Sequence, residues 1–333
     1  MVLPNDGFGG MQSQARLLAT SLHEHGHRVV VAVGGGVTNS ADVPQRGLPR
    51  FRAATALWFY LRLVILAVSV RADVVHVHGL RLGPLAAFVP VRRRVVTCHG
   101  IDPANVSRGL MWLLAHCPIT VVSCGVVPKN ELERHGVSSA VINNALDRAV
   151  TPRTRQEFDA HFGTSPEDFV ALWPARFSKQ KGHDLLLAAF EDLRDSNVKV
   201  ICCGDGPLRE AVRDDITTRG LDKQVIVRDY EPRASEWLGA TDFFVIPSRW
   251  EGQPLVVLEA TRAGVPSVSL IPVEHAFAHV TTVHHLAALV RRWSERGDDY
   301  RIAKEITGSI PLDAHEIGII TQNYLDLYDS QRR

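Results

Sequence analysis

Short apolar runs, rich in valine, isoleucine and cysteine, alternate along this chain with longer stretches whose apolar positions recur every three or four residues. In the first half, the runs Arg28–Val33, Val74–His78, Val95–Cys98, Thr120–Ser123 and Ala140–Ile142 predict strands. In the second half, Val170–Trp173, Val198–Cys202, Val225–Arg228, Phe243–Ile246 and Ser267–Leu270 do the same. Several are continuously apolar, the pattern of parallel strands covered on both faces. Helical stretches such as Met11–His25, Asp184–Leu193, Leu208–Arg219 and Pro254–Ala263 separate them. This alternation predicts an α/β protein with doubly wound parallel sheets. Residues 143–168 hold no strand pattern, so one series ends there and a second begins at Phe169. The expectation is two Rossmann-like domains, residues 1–147 and 148–312, joined near 145–165. They would face a central cleft at the C-terminal ends of their strands, where ligands of such sheets bind.

Residues 53–70 interrupt the pattern, because they are apolar throughout except for Thr55, Arg62 and Ser69. A central arginine and the lack of a second such stretch argue against a membrane span. A run that is apolar all round predicts a buried helix packed on a sheet, with Arg62 snorkelling to its edge. The alternative is a helix lying on a membrane surface, assisted by Arg46, Arg50 and Arg52 just upstream.

Composition narrows the class. With 333 residues the chain needs no covalent staples, and 37 Lys+Arg against 36 Asp+Glu excludes a polyanion-coating protein. No nucleic-acid partner is expected. The five cysteines have no CxxC spacing, so reduced thiols in a cytoplasmic protein are expected. No signal-peptide pattern opens the chain.

Four segments could carry chemistry. Gly7-Phe8-Gly9-Gly10 precedes a helix and could let backbone approach a diphosphate, yet Gln12 breaks the dinucleotide fingerprint. Arg176 and Lys181 follow a strand and precede a helix, so they could clamp a diphosphate. The bland alternative is a solvated basic loop. Gly204-Asp205-Gly206-Pro207 forms another strand-to-helix turn whose glycines could admit a nucleotide, although such turns are common. In the fourth, Glu251 lies in a loop and Glu259 falls about one and a half turns into the helix opened by Pro254, within the apolar run PLVVLEA. A carboxylate there needs a partner, either ribose hydroxyls or a protein donor such as Arg262.

Taken in order, Gly9-Gly10, TCHG at 97–100, NNALD at 143–147, Arg176, Lys181-Gly182, GDGP and the Glu251/Glu259 pair resemble retaining glycosyltransferase family 4 over roughly residues 2–270. The resemblance implies a GT-B fold and a transferase that moves a sugar from a nucleotide-diphosphate sugar to a hydroxyl acceptor with retention of configuration, metal-independent and without a cofactor. The N-terminal domain would bind the acceptor and the second the nucleotide sugar, with residues 313–333, including the amphipathic Glu316–Tyr328, crossing back to the first. Arg176 and Lys181 would grip the diphosphate, Glu251 would face the sugar, and Glu259 would accept from ribose hydroxyls. Gly9 and Gly10 would approach the diphosphate from the other domain, and His99 would lie near the sugar. The base would sit near Gly204, Gly206, Tyr230 and Glu231, with Gln253, Pro254 and Leu255 completing the donor contacts.

His76 and His78 match the family's pattern too, but alternate strand histidines more often serve packing, so His99 ranks before His78. The donor is expected to be of the UDP or GDP type. The acceptor is a sugar, polyol or lipid-linked hydroxyl of a cell-envelope glycan or natural product. The expected location is the cytoplasm, and the membrane-surface alternative for 53–70 would add peripheral contact with the inner membrane. Three departures from the family stand out. Only Met1-Val2-Leu3 precede the first turn, Asn144-Ala145 replaces Asn-Gly, and Ile271–His275 replaces a Gly-Gly turn. The last departure motivates an alternative: a catalytically weak nucleotide-sugar-binding homologue that partners another transferase.

Overall fold

The computed structural model describes residues 1–5, 9–35, 43–147 and 150–330. Gly7 and Phe8 of the glycine-rich turn lie outside them. The chain divides into two compact units, Met1–Arg148 with Asp313–Arg333, and Ala149–Leu312.

The first unit is built on one parallel sheet of β1 (Val2–Leu3), β2 (Val31–Gly34), β3 (Gln45–Leu48), β4 (Val74–His78), β5 (Arg93–Cys98), β6 (Thr120–Ser123) and β7 (Ala140–Val141). Their spatial order is β3-β2-β1-β4-β5-β6-β7. The short first strand is central all the same, since Val2 pairs with Ala32 of β2 and with Val77 of β4. Strand order reverses between β1 and β4, so their C-terminal ends form the switch point where ligands of doubly wound sheets bind. The two sheet faces feed separate cores. The helices Gly10–Glu24 and Ile317–Asp329 pack with Val95 and Val122 on one face. The helices Ala56–Ser69, Gly83–Ala86 and Arg108–His116 pack with Val96 and Val121 on the other. Successive residues of one strand thus serve opposite layers, as the pleat requires.

The stretch 53–70 corrects the expectation of a buried helix. It is helical over Ala56–Ser69, but only Phe59, Leu63 and Ala67, spaced four apart, are buried. Leu57 is 71% exposed, Trp58 54% and Ile65 59%, with Leu61 and Val68 also exposed. One stripe of a helix is enough to cover a sheet, and apolar content does not reveal whether the opposite stripe is covered as well. Among the described residues, no helix is long and apolar enough to cross a membrane.

In the second unit, β8 (Phe169–Pro174), β9 (Val198–Cys203) and β10 (Val225–Arg228) form one parallel sheet in the order β10-β9-β8. A second comprises β11 (Phe244–Ile246), β12 (Ser267–Ser269) and β13 (Ala278–His279). A parallel bridge between Ala171 and Phe243 joins them. The joined order is β10-β9-β8-β11-β12-β13, and it reverses between β8 and β11. Phe169, Val170, Ala171 and Leu172 are fully buried, as the unbroken apolar run implied.

Candidate active site

The switch point of the second unit gathers most of the charged residues singled out from the sequence. Arg176 lies two residues beyond β8, and Ser248 two beyond β11. The loop after β8 ends in a turn at Lys179–Lys181, Gly182 takes a left-handed conformation at φ 64°, and a helix runs over His183–Glu191. Gly182 is required twice over. A Cβ there would sit 2.0 Å from the Pro247 carbonyl oxygen, and a side chain disfavours positive φ. The loops after β8 and β11 are therefore in backbone contact. Arg249 clamps them by donating to both carboxylate oxygens of Asp184, at 2.8 and 2.5 Å, while its backbone N–H donates to the Gln180 carbonyl at 2.8 Å. The Arg249 guanidinium holds the Asp184 carboxyl below its usual range.

This clamp brings Lys181 and Glu251 together across 70 positions of sequence. Lys181 Nζ donates to Glu251 Oε1 at 2.6 Å, and Ser248 Oγ donates to the same oxygen at 2.6 Å. The Glu251 side chain is only 7% exposed, so its charge is matched by one cation and one hydroxyl. Lys181 Nζ also lies 6.0 Å from the Trp173 ring centroid. Arg176 behaves differently. It is exposed, and among the described residues it makes no ion pair or hydrogen bond. One paired and one unpaired cation at a strand end suit an anion that arrives from solvent.

Gly204 and Gly206 have a packing role that the sequence did not disclose. A Cβ on Gly204 would lie 2.2 Å from the Ala175 carbonyl oxygen, and one on Gly206 2.5 Å from that of Phe177. The space these glycines leave is occupied by the backbone on either side of Arg176. The Phe177 N–H donates to the Asp205 carbonyl at 3.0 Å, which fixes that loop.

Glu259 is half-buried on the helix Leu255–Arg262, which Pro254 opens as its N-cap. Gln253 is buried and its Nε2 donates to Glu274 Oε2 at 3.0 Å. The turn that replaces a glycine pair is made with His275 at φ 66°, a left-handed conformation costly for a side chain. Tyr230 and Glu231 follow the edge strand β10, with β9 between them and β8. The structure does not bring them against Lys181 and Glu251. Tyr230 is exposed, and Glu231 accepts from the Arg233 N–H at 3.1 Å.

In the first unit, Gly9 is the extended N-cap of the helix Gly10–Glu24, which has no side-chain cap. His78 ends β4 and His99 follows β5, and His78 Nδ1 lies 2.9 Å from His99 Nε2. Burial pushes His99 down to about 4, so its imidazole is neutral at physiological pH. His76 and His78 are driven well below their ordinary value by the same cause.

Sequence reasoning passed over Ser248, Trp173 and His183. Ser248 lies three residues before Glu251, to which its hydroxyl donates, but a serine in a loop carries no signal of that role by itself. His183 follows Lys181-Gly182 and stacks on Phe177 with ring centroids 4.3 Å apart. Neither of its ring nitrogens finds a hydrogen-bond partner among the described residues. Burial lowers its pKa to about 4, with Asp184 opposing and Lys181 reinforcing the shift.

These histidines make stability fall with acid. The folded state holds them neutral, while the unfolded chain takes up protons below its ordinary histidine value of 6.5. Stability is therefore full above pH 6.5 and declines toward pH 4, by about 1.4 kcal/mol per pH unit for each proton bound only by the unfolded chain. Urea titrations across this range should show the decline, and His183→Phe should flatten it. An unchanged slope in the variant would contradict burial of a neutral His183.

Residues 8–174 match the family model described as Glycosyltransferase Family 4, and residues 154–272 that described as Glycosyl transferases group 1. The chain belongs to glycosyltransferase family 4. Its family relatives include the O-antigen biosynthesis glycosyltransferase WclY of Escherichia coli, 24% identical over 222 residues, which are 61% of this chain and 62% of that protein. Another is the E. coli UDP-Gal:alpha-D-GlcNAc-diphosphoundecaprenol alpha-1,3-galactosyltransferase, 26% identical over 220 residues, or 59% of this chain and 57% of that one. The chain thus spans less than two thirds of either curated relative. The crystal structure of Anabaena Alr3699/HepE in complex with UDP-glucose matches with a TM-score of 0.81 at 18% identity, covering 99% of this chain and 98% of that one. The fold is that of the GT-B glycosyltransferases, with two Rossmann-like domains.

Proposed function

We propose that this family 4 protein transfers a sugar from a nucleotide-diphosphate sugar to a hydroxyl acceptor, with retention of anomeric configuration. The observation that carries this reading is the pairing of Lys181 with Glu251, beside unpaired Arg176, at the switch point of the second unit. Arg176 and Lys181 meet the charge of the diphosphate, without a metal ion in that role. As the bond from the anomeric carbon to the phosphate oxygen breaks, its electron pair goes to the departing diphosphate, and both cations stabilise that charge. The acceptor oxygen bonds to the anomeric carbon on the same face, and its proton passes to the leaving phosphate oxygen. Glu251, held by Lys181 and Ser248, is placed to face the sugar, and Glu259 to accept from ribose hydroxyls. Neutral His99 offers a hydrogen bond to a sugar hydroxyl. The relatives named for O-antigen and diphosphoundecaprenol-linked synthesis favour an envelope-glycan acceptor made on the cytoplasmic side. The UDP-glucose in Alr3699/HepE favours a UDP donor.

A specific observation keeps a second reading in view. Glu274 on Gln253 puts a carboxylate where the family resemblance expects glycine N–H groups, which favours a nucleotide-sugar-binding homologue with little turnover. Thermal shifts with UDP, GDP, ADP and dTDP test the binding that both readings share. Ligand at a hundred times its dissociation constant adds about 2.7 kcal/mol, a shift of several degrees. UDP should shift the wild type and not Arg176→Ala. No shift with any nucleotide would remove both readings.

A further inference from the structure

The outer face of the helix Ala56–Ser69 is an exposed apolar surface that sugar transfer does not use. Placed at 100° per residue, Leu57, Val68, Leu61, Ile65 and Trp58 occupy one contiguous stripe, opposite the buried stripe of Phe59, Leu63 and Ala67. Phe88 is 62% exposed, and the Tyr60 hydroxyl donates to its carbonyl at 3.0 Å. Trp112, 61% exposed, lies on a helix that packs on the same face of the sheet. A soluble surface seldom leaves so many large apolar side chains together without an occupant.

Charge identifies that occupant. Between Asp42 and Asp102 the sequence has nine arginines and a single acidic residue, Asp73, a formal charge of +8 in a chain whose total is +1. Four of them, Arg50, Arg52, Arg62 and Arg71, lie on the helix or at its ends, while Arg93 is buried with its Nε donating to the Tyr328 carbonyl. Thr55 Oγ1 donates to the Arg50 carbonyl at 2.8 Å and accepts from the Arg52 N–H at 3.2 Å, which fixes both at the start of the helix. Arg71 follows its end, and Arg62 lies over the Trp58 ring at 5.8 Å. A second copy of the chain joined through this face by a two-fold axis would set arginines against arginines. A bilayer with anionic headgroups satisfies both components, since acyl chains take the apolar stripe, phosphates take the arginines, and tryptophans sit at the boundary.

We propose that the first unit docks on an anionic membrane surface through the exposed face of Ala56–Ser69, with Phe88 extending the contact. The docking is peripheral and goes beyond the transfer reaction, so it does not depend on the donor assigned above.

Cosedimentation of the full chain with vesicles tests it. The chain should bind vesicles containing a third phosphatidylglycerol, and bind pure phosphatidylcholine far less. The pair Leu61→Glu and Ile65→Glu should weaken binding about tenfold or more. The pair Arg50→Glu and Arg52→Glu should also weaken it roughly tenfold and reduce its salt dependence. All four residues are exposed, so both pairs should keep the wild-type Tm and the same response to UDP. Failure of the wild type to respond to UDP would count against the donor site alone. Absence of vesicle binding, or binding that the apolar pair leaves unchanged, overturns the proposal. So does a dimer in sedimentation equilibrium that the apolar pair dissolves, because a second copy would then cover the face.

Discussion

Lys181→Ala is expected to slow sugar transfer by about 10²–10³-fold, the usual consequence of removing one charge-stabilising donor from a leaving group. It should also destabilise the protein by roughly 1–3 kcal/mol, because a buried carboxylate loses the cation paired with it and keeps the Ser248 hydroxyl. The two effects can be separated. Adding Glu251→Gln to Lys181→Ala removes the stranded charge, so the double variant should recover much of the lost Tm and none of the lost rate. A structural salt bridge with no part in chemistry would give recovery of both. Steady-state release of UDP, read beside thermal melts of the single and double variants, distinguishes the two cases.

Gly182→Ala carries the largest expected cost to stability. The new Cβ would stand 2.0 Å from the Pro247 carbonyl oxygen, which is backbone and cannot swing aside, at a residue whose φ is 64°. Overpacking and left-handed strain together should cost about 3 kcal/mol or more, roughly 10 °C in Tm for a domain of this size. The damage should be directed as well as general. Pro247 leads into Ser248 and Glu251, so a folded Gly182→Ala protein should also lose its response to UDP. A variant that melts and binds as the wild type does would mean that the loops after β8 and β11 do not approach as described.

How far the sequence foretold this arrangement depended on the range of the interaction. The strands Val74–His78 and Thr120–Ser123 follow their apolar runs residue for residue, because buried parallel strands must be apolar on both sides, and the edge strand Val225–Arg228 does so through its valines and isoleucine. β3 and β13 escaped notice. Gln45–Leu48 and Ala278–His279 are edge strands whose residues carry no run, and pairing with a neighbour determines them. Arg176, Lys181, Glu251 and Glu259 were each visible as candidates at strand-to-helix corners, and their order along the chain added the resemblance to a known family. No local signal joins Lys181 to Glu251, since the contact exists only once β8 and β11 pair at the bridge between Ala171 and Phe243. The glycines at 204 and 206 were legible as a turn, while the carbonyls they accommodate lie nearly thirty residues earlier. The helix at 56–69 shows the opposite limit. Its hydrophobicity was plain, but whether anything covers its outer stripe depends on tertiary packing.

The most direct test of sugar transfer by this chain is release of UDP from UDP-sugars by the purified protein, with and without an acceptor fraction extracted from bacterial envelopes. The geometry at Arg176, Lys181 and Glu251 predicts release that depends on the acceptor and falls by two to three orders of magnitude in Lys181→Ala, as expected for a lost charge-stabilising donor. If the protein binds UDP yet releases none from any UDP-sugar and acceptor, or releases it equally well without Lys181, the site is a nucleotide-sugar-binding one and not a site of transfer.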